Sequence, residues 1–247
     1  KNINSKASRF AAVEKVANPI LSGRINFPMD EMRVANALKV SAAMKQSALH
    51  DIDVGKDRTA DEKTNAKKAT ELFFDMLDAG ARTGRLDTFV ESHSNASGKN
   101  TLVAGIVPDD GEAALAILEL LPKTGKDQKV EMNVDAEGDV KIHKATIPQD
   151  FRADLKDFFG SDQMYVGVAK KTLWCGFGEG SLEEMKAAIK KSAEDKPVDP
   201  ATPFAEGYAK LLTWSKLWHK RRGDKGEVEL RETGMEAFQP GDDGTTF

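Results

Sequence analysis

The run Asp51-Ile52-Asp53-Val54-Gly55-Lys56-Asp57-Arg58-Thr59-Ala60-Asp61-Glu62 is the strongest local motif for metal chemistry in this chain. Calcium is a hard cation held by carboxylate and carbonyl oxygens. Helix–loop–helix calcium loops supply these at alternating positions and close on a glutamate. Asp51, Asp53, Asp57 and Glu62 stand at the first, third, seventh and twelfth positions of such a loop. Three departures weigh against it. Gly55 offers no side-chain oxygen at the fifth position, Lys56 stands where the sharp turn needs glycine, and Arg58 adds a second cation. The favoured reading is a solvated acidic loop in which Thr59 and Glu62 form a capping box, each satisfying a free backbone N–H of the following helix.

Gly176-Phe177-Gly178-Glu179-Gly180 lies between a strand pattern and a helix pattern, where free N–H groups can attract phosphate. The spacing of a dinucleotide loop and the Lys-Ser/Thr of a nucleotide loop are both missing, and Glu179 repels an anion, so a turn is the expected role. The histidines His50, His93, His143 and His219 form no pair at ligand spacing, and Cys175 has no second cysteine. Structural zinc is therefore not expected. His143 is expected on the exposed face of a hairpin, His219 at a basic helix end, and Cys175 as a buried, inert thiol. A Cys–His dyad would need tertiary contacts that the sequence does not specify. Trp214 and Trp218 lie four apart beside Lys216, Lys220, Arg221 and Arg222. They read as core aromatics covered by long basic side chains, with an anionic surface or a partner as the alternative. There is no Gly-x-Ser-x-Gly elbow. No catalytic residue and no cofactor are expected.

Composition narrows the partners. With 36 basic and 40 acidic residues the formal charge is −4, so the chain lacks the basic field that neutralises phosphates, and nucleic acid is not an expected partner. No run approaches the ~18 apolar residues that span a bilayer. A hydrophobic share of 40% with 31% charged residues is that of a globular chain. A single cysteine excludes an internal disulfide, which suits the cytosol and also bridge-free exported proteins.

The elements that must position these residues follow from periodicity. Arg24 to Phe27 reads as a short strand. A helix follows Pro28 to about Leu49, with Met29, Met32, Leu38 and Met44 apolar. A second helix runs from Ala60 to Ala81, with Ala66, Ala69, Leu72, Phe73, Met76 and Leu77 on one face. Strands are expected over 86–93 and 101–107, the latter central because it is nearly all apolar. A helix carrying Ala114, Leu115, Ile117, Leu118 and Leu121 comes next. Val130, Met132 and Val134 alternate with polar residues, turn at Glu137-Gly138-Asp139, and return through Val140 and Ile142 with Lys141 and His143 outward. A short helix from Asp150 to Phe159 ends at Gly160. A second hairpin spans Met164–Ala169 and Thr172–Phe177. Ser181 and Glu184 form an expected capping box for a helix with Leu182, Met185 and Ile189 inward. Residues 193–203 read as a connector. A last helix is expected over Phe204–Lys220, burying Tyr208, Leu211, Leu212 and Trp218, and then strands at Val228–Leu230 and Thr245–Phe247.

The fold class is thus α+β: an antiparallel sheet built from hairpin–helix units with helices packed on one face, plus an N-terminal helical pair. Residues 1–59 form an N-terminal helical segment and 60–247 the α+β domain.

The order of these motifs resembles a known family. Gly84-Arg85-Leu86-Asp87-Thr88-Phe89-Val90 leads into Lys99-Asn100-Thr101-Leu102-Val103-Ala104-Gly105-Ile106. An alanine- and leucine-rich helix, Val140-Lys141-Ile142-His143, Met164-Tyr165-Val166-Gly167-Val168 and a tryptophan-bearing strand come next, before the helix Leu182-Glu183-Glu184-Met185-Lys186-Ala187-Ala188-Ile189. Over residues 60 to 247 this resembles a family of uncharacterised exported proteins of planctomycete-type bacteria. The resemblance implies a removed signal peptide, a periplasmic or envelope location, and a domain that continues past residue 247. It carries no functional residue. The leading expectation is a non-enzymatic exported protein with a structural or assembly role in the cell envelope, working through protein partners or self-assembly. The alternative is a small-molecule or protein-binding module with its ligand between sheet and helices, and a hydrolase ranks last.

Overall fold

Alternating residues and hairpin turns build one antiparallel sheet of nine strands in the computed structural model, which describes residues 7–56, 58–147, 155–194, 203–210, 213 and 244–246. The elements are β1 (Leu21–Pro28), α1 (Glu31–Val54), α2 (Ala60–Arg82), β2 (Arg85–Ser94), β3 (Asn100–Ile106), α3 (Ala113–Leu120), β4 (Val130–Glu137), β5 (Val140–Thr146), β6 (Gln163–Ala169), β7 (Thr172–Phe177), α4 (Ser181–Ser192), β8 (Ala205–Lys210) and β9 (Gly244–Thr246). The strand order is β4-β5-β6-β7-β3-β2-β1-β8-β9, which puts the apolar β3 in the middle, as its composition requires. The α+β class, the antiparallel sheet and the N-terminal helical pair all hold.

Residues directly opposite in an antiparallel ladder share a face. Phe89, Gly105, Trp174, Gly167 and Ile142 therefore form one row across five strands. Phe10, from the segment before β1, drops into this row, with ring centroids 4.8 Å from Phe89 and 5.2 Å from Trp174. Gly105 makes the room: a Cβ there would stand 2.7 Å from ring atoms of both Phe10 and Phe89. Met185, Ala188 and Ile189 of α4 complete this core, and Phe10, Phe89, Trp174, Ile142 and Met185 are all essentially inaccessible. Each tilted or edge-on aromatic pair adds about 0.5–1.5 kcal/mol beyond area burial. We call this side the closed face.

Leu173, adjacent to Trp174, points the other way. With Val168 it packs against Ala114 and Leu118 of α3, and Met76 of α2 borders the cluster. The expectation of helices on one face is thereby extended: α2 and α3 cover this second face, while α4 and the N-terminal segment cover the first.

Several local expectations change. Residues 205–210, expected as helix, are strand β8. β1 pairs with β2 on one side only and would leave its other row of N–H and C=O groups open, and the 205–210 backbone fills that row, with Gly207 opposite Gly23. β9 pairs with β8. Trp214, Trp218, His219 and Val228–Leu230 lie outside the described residues, and of the expected helix 150–159 only 155–159 is described, as helix ending at Gly160 with φ of +74°. Ser181 does not cap α4. Gly180, in the left-handed region, precedes the helix, and Ser181 is its first residue, fully buried. Met32 and Met44, two of the apolar positions of α1, are exposed, because α1 packs chiefly on α2 and turns Leu38, Leu49 and Ile52 inward. On α2, Phe74 is buried and Phe73 is exposed. Met132 and Val134 are exposed as well, because the β4 ladder loses register between Glu131 and Asp135 at the sheet edge. Irregular edges of this kind discourage edge-to-edge pairing.

Candidate functional site

Among the described residues the closed face is filled by packed side chains, and its polar groups hold the N-terminal segment down. Asp87 accepts from Ser8 Oγ at 2.5 Å and from the Arg9 N–H at 2.7 Å. Glu91 accepts from Arg24 Nη2 at 3.3 Å and Ser22 Oγ at 3.1 Å, and Arg24 Nη1 donates to the Phe10 carbonyl. Both carboxylates flank Phe89 on β2 and are buried. Burial pushes both carboxyl groups above their ordinary range, with these donors pulling the other way. Here two acids act as clamps for a strap.

The second face leaves a cavity of about 290 Å³ between the α1–α2 hairpin and the sheet. Its space comes from small side chains: Ala66 and Ala69 on α2 and Ala145 on β5. Ile52 of α1, Leu121 and Ile147 line it along with Met164 of β6, and Thr70, Thr124, Thr146 and Gln128 contribute hydroxyl or amide groups. Among the described residues Arg58 is the one charged residue of the lining, and it is solvent-exposed, which places it at the mouth. Glu62 stands nearby, and Arg58 and Lys126 help hold its carboxyl below the ordinary range, after the larger effect of its hydrogen bonds with Thr59. The arrangement is a small apolar recess with a guanidinium at its entrance, suited to an apolar body ending in an anion.

Three of the four calcium-loop candidates are described, and they form no common site. Asp51 and Asp53 lie in the last turn of α1. Asp53 pairs with Lys67 Nζ at 2.5 Å. Glu62 accepts from the Thr59 N–H at 2.7 Å and Thr59 Oγ1 at 2.9 Å, completing the capping box of α2. Asp57 lies outside the described residues. Among the described residues no three His, Cys, Asp or Glu side chains come together as a metal cluster. The glycine loop 176–180 is a tight passage: at Gly178 a Cβ would stand 2.3 Å from the Asn100 carbonyl oxygen, and the Glu179 N–H bonds to the Phe159 carbonyl.

His143 is buried, not exposed. It shares the second face, which is also covered, and its Nδ1 accepts the Asn133 N–H at 3.2 Å where β4 loses register. Burial lowers its pKa, which favours the neutral ring. Cys175 stands on the same face, but the register puts Val166 between it and His143. Two strand spacings, about 10 Å, exclude a direct dyad. Burial pushes the thiol up to about 11, so it stays protonated at neutral pH. His93 Nε2 lies 3.4 Å from Glu184 Oε1 of α4, a pair joining sheet and helix, with the Glu184 carboxyl raised by burial. His50 is exposed on α1.

Sequence reasoning missed the cavity because its walls are alanines and threonines, types that carry no motif. The signal that could have found it is Ala66 and Ala69 on the inward face of a helix where larger residues would be expected to fill the core.

No family model, no curated protein and no solved structure matches the chain.

Proposed function

We propose that this protein is a non-enzymatic binding module whose recess between the α1–α2 hairpin and the sheet takes a small apolar ligand ending in a carboxylate. The observation that carries this reading is the recess of about 290 Å³ with apolar walls and, among the described residues, one lining cation, Arg58. Its volume is at the lower end of small-molecule sites. Apolar burial supplies the affinity, and the guanidinium orients the anionic end through charge-assisted hydrogen bonds. The experiment is calorimetric titration with octanoate and with 1-hexanol. The reading expects octanoate to bind, Arg58→Gln to weaken it roughly tenfold or more, and Ala69→Leu to abolish it with the fold intact. No binding of either probe at millimolar concentration refutes it.

A second reading, an assembly subunit, is favoured by a different observation. The outward side of α1 exposes Met32, Val40, Met44 and Val54. Surface helices ordinarily carry charge there. Native mass spectrometry at rising concentration tests it: defined oligomers support this reading, and a monomer throughout removes it.

A further inference from the structure

We infer that α1 is a self-pairing helix: two copies of the chain dock by laying their α1 helices antiparallel across a two-fold axis at Ala43. The proposal rests on the assembly reading above and names its surface and its occupant.

The outward positions of α1 recur at alternating steps of four and three. Asn36, Val40, Ala43, Ser47, His50 and Val54 make a continuous seam, all exposed. That spacing is the one by which two helices keep a common stripe in contact. Between Arg33 and His50 the seam carries no charge, over a helix of 24 residues, about 36 Å long at the usual rise. The opposite side of α1 is already committed, since Ile52 is buried and Lys45 pairs with Asp75 of α2 at 2.9 Å. The helix thus has apolar residues on both sides and a partner on one.

Charge placement selects a second copy as the occupant. A two-fold axis at Ala43 sets Met32 against Val54 of the second copy at both ends. It brings Arg33 within two residues, about 3 Å along the axis, of the level of Asp51 of the second copy, and Lys39 level with Ser47, so no like charges are opposed. Arg33 and Asp51 are both exposed. Arg33 Nη1 is held at 2.7 Å by Asp30 and its guanidinium lies 4.9 Å over the Phe27 ring, which steadies the side chain and leaves only its remaining in-plane N–H groups for a carboxylate. Ala43 stands at the crossing, where a small side chain lets two backbones approach to the lower end of the usual 8–10 Å helix separation. Both copies offer the same patch, as a two-fold interface demands. One helical seam is smaller than a standard interface of about 800 Å² per partner, so the dimer is concentration-dependent.

The test pairs sedimentation equilibrium with a positional cross-link. Wild-type protein is expected to move from monomer to dimer as its concentration rises, and Val40→Glu is expected to shift that equilibrium toward monomer by at least about tenfold, as burying an unpaired charge requires. With oxidised glutathione as oxidant, Ala43→Cys is expected to form a disulfide-linked dimer at least about tenfold faster than Ala96→Cys on an exposed loop. Dimers that form without preferential cross-linking at residue 43 overturn the α1 seam and leave the assembly reading standing. A monomer at every concentration overturns both. Octanoate binding is read on the other side of α1 and is unaffected by either result.

Discussion

The two faces of the sheet are filled in opposite ways. On the closed face, glycines at 105 and 167 make space that Phe10, Phe89 and Trp174 occupy completely, and Asp87, Glu91 and Arg24 pin the segment that carries Phe10. On the second face, alanines at 66, 69 and 145 make space that no side chain of the described residues occupies. Small residues thus serve close packing on one side and a recess on the other. What decides between them is whether a large neighbour is aimed into the gap.

The largest effect should come from emptying the closed face. Trp174→Ala removes the ring against which Phe10 and Phe89 pack, and should cost about 3–5 kcal/mol in urea denaturation. An effect below about 1 kcal/mol would mean that the face is not closed. Adding one methyl there comes next: Gly105→Ala should destabilise by about 1–3 kcal/mol through overpacking against Phe10 and Phe89.

The clamp carboxylates should give a smaller, pH-dependent effect. Both have pKa values raised by burial. A carboxyl with a raised folded-state pKa binds its proton more tightly when folded, so its contribution is fully present below its unfolded pKa and is lost as pH rises through the folded one. Wild-type stability should therefore carry a component that falls with rising pH from the carboxylate range upward. The double variant Asp87→Asn, Glu91→Gln should lack it in denaturation curves taken across that range. His143, with its lowered pKa, acts in the opposite direction, losing stability as pH falls below its unfolded value. The pair of acids must therefore be tested by difference against wild type. An unchanged pH profile in the double variant would remove the clamp.

The smallest effect belongs to the second face. Ala69→Leu should be neutral or stabilising by up to about 1 kcal/mol, because it fills space rather than displacing atoms. Equal destabilisation by Gly105→Ala and Ala69→Leu would erase the contrast between the faces.

Regular periodicity was legible in the sequence. The α1–α2 pair, the Thr59–Glu62 capping box, the central β3 and the second hairpin all follow from residue spacing that local structure enforces. Long-range pairing was not legible. Ala205–Lys210 has a helix-like apolar spacing, yet β1 needs a neighbour on its open side and takes it as a strand. His143 alternates like a surface residue, yet its face is covered. Met132 and Val134 alternate like core residues, yet an edge irregularity turns them to solvent. Asp51, Asp53 and Glu62 are close in sequence, but a helix end, an ion pair and a helix cap divide them. The recess was illegible for the same reason, because an alanine records nothing about the distance to the wall opposite.

The most direct test of the ligand recess is thermal denaturation of wild type and Ala69→Leu, each with and without octanoate at millimolar concentration. A ligand that binds only the folded chain raises its Tm. The account predicts that octanoate raises the Tm of the wild type, that Ala69→Leu alone melts no lower than wild type, and that octanoate gives Ala69→Leu no further rise. A variant that melts well below wild type, or one that keeps the full octanoate shift, would contradict it.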